Sequence, residues 1–294
     1  MVDVIGLTQK LISFNTINPP ENERIIAEFV GKLLSENGFE VKYPLFAENR
    51  LHVVAERGLS EMAPPIVLSG HFDTVPIGSK LWQDDPFSGK IIGNKIYGRG
   101  SSDMKAGLAT MICAAIGSFE EGSPVGGVRL IFTAAEELGC QGVVQLAETY
   151  NNFGKASAII IGEPTANIPA IGHKGALYLN VTTAGKTAHS SMPELVDLPP
   201  VSSSESSPIV QIVYEVCGVD PENGNKYKSL PYMTDGAVLQ QLYGGIPTVI
   251  LGPGQPEMAH QTDEFCYISK IEEAVTIYKN IILKNGGITN DKIS

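Results

Sequence analysis

The chain has 294 residues, of which 21 are Lys or Arg and 32 are Asp or Glu, so its formal net charge is −11. This acidic balance excludes the basic face of a nucleic-acid-binding protein and does not favour docking on an anionic membrane. A hydrophobic share of 43% and a charged share of only 18% exclude a disordered chain and are sufficient for a sizeable core.

The sequence carries no sign of export or of membrane insertion. No run of about 18 apolar residues predicts a transmembrane helix, and the first residues lack the basic start and apolar stretch of a secretory leader. The cysteines form no CxxC pair and are typical of reduced, buried thiols: Cys113, Cys140, Cys217 and Cys266. We therefore expect a cytoplasmic protein.

Helical patterns alternate with short apolar runs along the chain. Helices are predicted at Asp3–Phe14, from after Pro20 to Glu36, and at Asp103–Ser118, Cys140–Thr149, Ile209–Val216, Ala237–Tyr243 and Ile271–Leu283. Strands are predicted at Glu40–Phe46, Leu51–Glu56, Pro65–Ser69, Val128–Thr133, Ala158–Ile161, Leu177–Thr183 and Thr248–Leu251. This alternation predicts an α/β fold, a three-layer sandwich with a mixed, mostly parallel central sheet between helices.

Polar side chains follow the predicted buried strands, at the sheet edge where open α/β sheets bind their ligands. One such residue comes after each strand or opens the next helix: His71, Asp103, Glu137, Glu163 and His260. Two imidazoles and three carboxylates suit Zn²⁺, and Co²⁺ or Mn²⁺ could use the same ligands. Because five ligands exceed the three that are typical of one catalytic zinc, we expect two ions bridged by one carboxylate.

Two further acidic residues accompany these candidate ligands. Glu136 adjoins Glu137 but should point elsewhere, which leaves it free to act as a base. Asp73 lies two residues after His71, on the same side of an extended segment, and could accept the second imidazole N–H.

Each candidate also has a simpler interpretation on its own. A lone His such as His52 or His71 is often a core or surface residue, and Asp103 could merely cap its helix. Glu136 and Glu137 could be a solvated pair, and Glu163 a turn residue. Five such residues, each at a strand end or a helix start, are hard to produce by accident. Phosphate-loop, dinucleotide, nucleophile-elbow and HExxH motifs are absent from the sequence.

At these residues the sequence resembles the M20 metallopeptidase family, which includes acetylornithine deacetylase, succinyl-diaminopimelate desuccinylase, aminoacylase-1 and carboxypeptidase G2. The matching segments are Ser69–Pro76, Tyr97–Gly107, Thr133–Gly139, Gly162–Thr165, Gly185–Pro193, Thr234–Gly236 and Gly252–Glu264. The resemblance implies a zinc-exopeptidase-like catalytic domain that carries an inserted lid domain, which also mediates dimerisation.

The resemblance also implies a role for each site residue. His71 and Glu163 would hold one zinc, Glu137 and His260 the other, and Asp103 would bridge them. Glu136 would be the general acid/base for a metal-bridging hydroxide, and Asp73 would orient His71. The implied activity is hydrolysis of the amide bond of an N-acyl amino acid or a small peptide.

The sequence departs from the family pattern in the lid. Gly185–Glu194 matches the start of the lid, including His189, which contacts the substrate in relatives, but Val196–Pro200 already resembles its exit. We therefore expect residues 1–173 and 208–294 to form the catalytic domain, and residues 174–207 a truncated lid remnant with a Pro/Ser-rich connector. Because the lid carries the dimer interface, the shortened form predicts a monomer.

Two other hypotheses remain open. A di-zinc domain without a full lid resembles single-domain aminopeptidases, which predicts an exopeptidase of broader specificity. Alternatively, the chain is a non-catalytic remnant from which the lid has been deleted.

Overall fold

The computed structural model describes residues 2–20, 22–178, 196–220 and 229–285. They form helices α1 (Val4–Ile12), α2 (Arg24–Glu36), α3 (Lys105–Glu121), α4 (Gln141–Thr149), α5 (Pro208–Cys217), α6 (Gly236–Leu242) and α7 (Ile268–Asn285), with a 3₁₀ turn at Pro256–Met258. The strands are β1 (Glu40–Lys42), β2 (Leu45–Ala47), β3 (Arg50–Leu51), β4 (Val53–Arg57), β5 (Ile66–His71), β6 (Ile91–Ile92), β7 (Lys95–Tyr97), β8 (Val128–Thr133), β9 (Ala158–Ile161), β10 (Gly172–His173), β11 (Ala176–Tyr178), β12 (Val196–Leu198), β13 (Val201–Ser202), β14 (Thr248–Ile250) and β15 (Phe265–Tyr267).

The central sheet has the strand order β1-β4-β8-β5-β9-β14. Strands β8, β5, β9 and β14 run parallel to one another, whereas β4 is antiparallel to β8 and β1 is antiparallel to β4. The carboxyl ends of the parallel strands therefore meet at one edge of the sheet, as the sequence predicts.

Helices cover both faces of this sheet. Successive strand residues point to opposite faces. Ile66 and Leu68 belong to the apolar cluster that includes residues of α1, α2, α3, α5 and α7, whereas Val67 belongs to the cluster that includes residues of α4 and α6. Burial on both faces explains why these strands are short continuous apolar runs. The structure confirms the predicted three-layer α/β fold with a mixed, mostly parallel sheet.

The predicted elements differ from the structure mainly at their ends. The strands predicted at Val128–Thr133 and Ala158–Ile161 have the observed bounds, whereas α3 begins at Lys105 and leaves Asp103 in the preceding turn. The predicted strand Glu40–Phe46 is divided into β1 and β2, because Tyr43 and Pro44 interrupt it. Strands β6, β7 and β15 form a small antiparallel sheet and were not predicted, since runs of two or three residues show no periodicity.

The chain enters and leaves residues 179–195 through paired strands. β11 pairs with β12, and β10 pairs with β13, both antiparallel. The predicted strand Leu177–Thr183 is described only as far as residue 178, and the lid match at Gly185–Glu194 lies outside the described residues. The predicted domain division stays a prediction. In the described ranges, every helix is either too short or too polar to span a membrane.

Candidate metal centre

The predicted ligands lie together at the carboxyl edge of the parallel strands. His71 ends β5, Glu137 follows β8, and Glu163 lies two residues after β9. Asp103 precedes α3, and His260 follows the 3₁₀ turn that comes after β14. The sheet order places these four strand ends side by side, so residues that are far apart in sequence share one site.

The first group of potential ligands surrounds the imidazole of His71. Its Nε2 lies 3.3 Å from Asp103 Oδ1 and 3.6 Å from Glu163 Oε1. All three residues are buried, with His71 only 1% exposed. One nitrogen and two carboxylate oxygens converge here within the reach of a single ion.

The second group surrounds the imidazole of His260. Its Nε2 lies 3.3 Å from Asp103 Oδ2 and 3.1 Å from Glu137 Oε2. Asp103 therefore belongs to both groups and offers a different oxygen to each. This is the arrangement that a carboxylate bridging two ions requires.

The structure also answers the simpler interpretations of these residues. The residue that caps α3 is Met104, and no side chain caps that helix, so Asp103 is not a helix cap. Glu136 is 8% exposed and Glu163 is 4% exposed, so neither is a solvated surface residue. His52 is fully buried in the core, as its simpler interpretation predicts.

Asp73 is buried beside His71, but its carboxylate does not make the predicted hydrogen bond with the second imidazole nitrogen. The backbone carbonyl of Asp73 lies 2.9 Å from His71 Nδ1, whereas its Oδ1 is 3.6 Å away. The carboxylate instead accepts hydrogen bonds from the backbone N–H groups of Glu136 and Glu137, at 3.0 and 3.1 Å, and from Asn18 Nδ2 at 3.0 Å. Asp73 thus holds the loop that carries the candidate base and one candidate ligand.

The close packing of the strand ends depends on glycine. A Cβ atom on Gly252, after β14, would collide with the backbone carbonyl oxygens of Gly162 and Glu163, after β9. Glycine therefore lets the two strand ends approach each other and places Glu163 at the edge.

Burial and mutual repulsion disfavour the ionised form of two carboxyl groups in this cluster, whereas the neighbouring carboxylates favour the charged form of an imidazole. Burial raises the pKa of Glu136 and of Glu163 well above the usual range, and neighbouring carboxylates add to this effect. Hydrogen bonds with Asp103 and Glu137 raise the pKa of His260 to about 10. Burial opposes ionisation of Asp103, but the adjacent imidazoles of His260 and His71 outweigh burial and lower its pKa.

A third cluster of buried polar side chains consists of Glu136, Cys140 and Asp235. The Cys140 thiol donates a hydrogen bond to Glu136 Oε1 at 3.4 Å, and Asp235 completes a group whose potential ligand atoms all lie within 4.8 Å of one another. Asp235 accepts a hydrogen bond from the Thr133 hydroxyl, and burial raises its pKa to about 6. Ala135 and Cys140, on either side of the two glutamates, have the left-handed backbone conformation, with φ of 60° and 58°.

A cavity of about 500 Å³ opens onto the candidate ligands. Its lining includes the polar residues Asp103, Glu136 and His260 and the apolar residues Pro231 and Met233. The Tyr232 hydroxyl, which also lines the cavity, donates a hydrogen bond to the carbonyl oxygen of Pro164 at 3.0 Å, directly after Glu163.

Sequence patterns did not indicate several residues that hold this site. Asn18, Arg99, Cys140, Asp235 and Glu264 all contact ligand-bearing loops, but none has a local pattern that distinguishes it. Only the family match over Tyr97–Gly107, Thr234–Gly236 and Gly252–Glu264 could have drawn attention to three of them, Arg99, Asp235 and Glu264. His189, the remaining predicted site residue, lies outside the described residues.

Comparison with known proteins agrees with this geometry. Residues 67–284 match the model of peptidase family M20/M25/M40. The chain belongs to this family. It is 37% identical over 195 residues to a probable succinyl-diaminopimelate desuccinylase of Staphylococcus epidermidis, a match that covers 66% of this chain and 47% of the relative. The chain therefore spans about half the length of that relative.

Solved M20 structures share the fold. An M20-family metallo-carboxypeptidase from Sulfolobus solfataricus superposes with a TM-score of 0.77 at 13% identity, over 98% of this chain and 100% of the other. A dinuclear-metal-binding M20 peptidase from Bacillus subtilis gives a TM-score of 0.65 at 15% identity, over 97% of each chain.

The residues of this M20 chain fit a pair of divalent ions. Asp103 Oδ1 is buried and faces His71 Nε2, but it accepts no hydrogen bond from the residues that the structure describes. Two imidazole nitrogens and three carboxylates suit zinc and other borderline metals. Several carboxylates held together in a buried site also favour the cations that would neutralise them.

Proposed function

We propose that the protein is a two-metal hydrolase that cleaves the amide bond of N-acyl amino acids or small peptides. The observation that supports this most strongly is the position of Asp103 between the His71 group and the His260 group. His71 and Glu163 would hold one ion, Glu137 and His260 the other, and Asp103 both. We propose zinc as the metal, with cobalt or manganese as substitutes.

Residues of the chain would supply the proton transfers that the reaction requires. When bound, two divalent ions would lower the pKa of a water towards about 7 and polarise a carbonyl group. Glu136 lines the cavity and lies next to the candidate ligands but outside the His71 and His260 groups. Its Oε2 is 4.0 Å from His71 Nε2. Glu136 would take a proton from the attacking water and deliver it to the departing amine. Its raised pKa suits a group that must hold that proton between the two steps.

A second candidate function is supported by the apolar part of the cavity. Pro164, Pro231, Met233 and Pro256 line it, and its described lining contains no Lys or Arg. An apolar side chain fits such a surface better than a second carboxylate does. This favours an exopeptidase acting on apolar residues over a strict desuccinylase.

An activity screen distinguishes these functions. The metal-free chain is given Zn²⁺ or Co²⁺ and assayed with N-acetylornithine, N-succinyl-diaminopimelate, apolar dipeptides and aminoacyl-p-nitroanilides. We expect metal-dependent turnover that a chelator abolishes, with E136Q as the inactive control. Fastest turnover of the p-nitroanilides would favour the broad exopeptidase, and bound zinc without turnover on any substrate would favour the non-catalytic alternative.

The other expectations from the lid remain proposals. We propose that residues 174–207 are a shortened lid with its connector, that His189 belongs to it, and that the chain is a monomer in the cytoplasm. Size-exclusion chromatography with light scattering tests the monomer, and a stable dimer would contradict it.

A further inference from the structure

Glu264 is a fully buried carboxylate that is not part of either ligand group. Its Oε1 accepts hydrogen bonds from the backbone N–H groups of Ser102, at 2.8 Å, and Asp103, at 3.0 Å. Its Oε2 accepts from the backbone N–H of Gly100 at 3.0 Å and from Arg99 Nη1 at 2.6 Å. One side chain thus fixes the backbone of the turn that presents Asp103.

Arg99 extends this contact to two other loops of the site. Its Nη1 also donates to the carbonyl oxygen of Gln261 at 3.2 Å, next to His260. Its Nη2 donates to the carbonyl oxygen of Pro76 at 3.0 Å, in the segment that follows His71. The buried Arg99–Glu264 pair therefore contacts the loops that carry three of the candidate ligands.

We propose that Glu264 is a positioning residue that holds Asp103 between the two ions and so couples the two halves of the metal site. The inference rests on the proposed two-metal function. A bridging carboxylate serves both ions only if each oxygen keeps its direction, and the Asp103 backbone is the part of that residue that Glu264 fixes. Partners of this kind behind metal ligands typically contribute 10- to 100-fold to metal affinity.

The Gln variant removes this support with little change in size. In E264Q one of the two acceptor oxygens becomes an NH₂ group, which faces N–H donors that it cannot satisfy. The Asp103 turn then loses hydrogen bonds on one side, and the direction of the bridging carboxylate is no longer fixed.

A purely structural role predicts something different, and a matched control separates the two. Glu56 accepts a hydrogen bond from Arg129 Nε in a partly buried Arg–Glu pair, which lies where β8 begins rather than where it ends. E56Q removes the same kind of contact from the opposite edge of the sheet. We expect E56Q to lower the free energy of unfolding without changing the position of any candidate ligand.

The experiment compares zinc binding of the full chain as wild type, E264Q and E56Q, by titrating the metal-free proteins against a chromophoric chelator and recording their thermal unfolding. We expect two zinc ions per wild-type chain, a 10- to 100-fold loss of zinc affinity in E264Q, and no more than a two-fold loss in E56Q. Wild-type affinity in E264Q, or an equal loss in E56Q, would overturn the positioning role.

Two further outcomes of the zinc titration have a defined meaning. Fewer than two ions in the wild type would overturn the two-metal function itself, and this inference with it. If E264Q does not fold, R99K replaces it, because Lys keeps the charge but cannot make the forked contacts of Arg99 with Glu264, Gln261 and Pro76. We expect R99K to bind zinc about 10-fold more weakly than the wild type, and unchanged affinity in R99K would overturn the proposal.

Discussion

Asp103 lies between two imidazoles: its Oδ1 is 3.3 Å from His71 Nε2, and its Oδ2 is 3.3 Å from His260 Nε2. His71 ends β5, whereas His260 follows the 3₁₀ turn after β14, 189 positions later in the chain. A carboxylate shared in this way ties the two halves of the site into one unit. Loss of Asp103 should therefore affect both halves.

Glu136 should be required for turnover but not for metal binding. It lies outside both ligand groups, so E136Q should lower kcat by roughly 10²- to 10⁴-fold while two ions remain bound. E137Q is the comparison variant, because Glu137 is a candidate ligand and its loss should weaken metal binding. Steady-state kinetics with metal analysis checks both variants, and near-wild-type turnover of metal-loaded E136Q would disprove the assignment.

Cys140 should orient the base rather than contact the substrate. It is fully buried, it is not part of the cavity lining, and its thiol donates to Glu136 Oε1. Loss of one such hydrogen bond in C140A should lower kcat roughly 2- to 12-fold with KM unchanged, and C140S should recover part of the loss. C217A is the control for removing a thiol elsewhere. A change in KM alone would argue for a substrate contact instead.

His52 should make stability fall at mildly acidic pH. Burial lowers its pKa to about 4, and its Nδ1 accepts a hydrogen bond from the backbone N–H of Ala134, two residues before Glu136. Because the unfolded chain takes up this proton near pH 6.5, the stabilisation present above pH 6.5 is lost as pH falls towards 4. Over that range the loss approaches about 3 kcal/mol.

The variant H52N isolates this effect, because an Asn oxygen can accept the same hydrogen bond but does not titrate. Urea unfolding of both proteins from pH 7 to pH 4 measures the difference in unfolding free energy. We expect H52N to be less stable at pH 7 and the difference to narrow as the pH falls. A constant difference over the whole range would show that His52 does not titrate in this way.

The proximity of three candidate ligands could be predicted from sequence because two simple rules determine it. Parallel strands buried on both faces are short apolar runs, and their carboxyl ends meet at one edge. His71 ends such a run, and Glu163 and Glu137 lie two and four residues after the ends of two others, so their proximity follows from the topology. The strand predictions at Val128–Thr133 and Ala158–Ile161 succeeded for the same reason.

The supporting contacts could not be predicted in this way. Glu264 binds Arg99 and the backbone of Asp103, which lie 165 and 161 positions earlier in the chain, and no local pattern encodes such contacts. Asp73 shows the same limit. Its spacing from His71 predicted an imidazole contact for the carboxylate, but the fold directs that carboxylate to the backbone N–H groups of Glu136 and Glu137.

The number of zinc ions per chain tests the central claim most directly. We predict two zinc ions per chain in the dialysed wild type and two in the surface control E272Q. D103A should lose at least one ion while its circular dichroism spectrum shows that the fold is retained. At most one ion in the wild type, or two ions of unchanged affinity in D103A, would contradict a two-metal site bridged by Asp103.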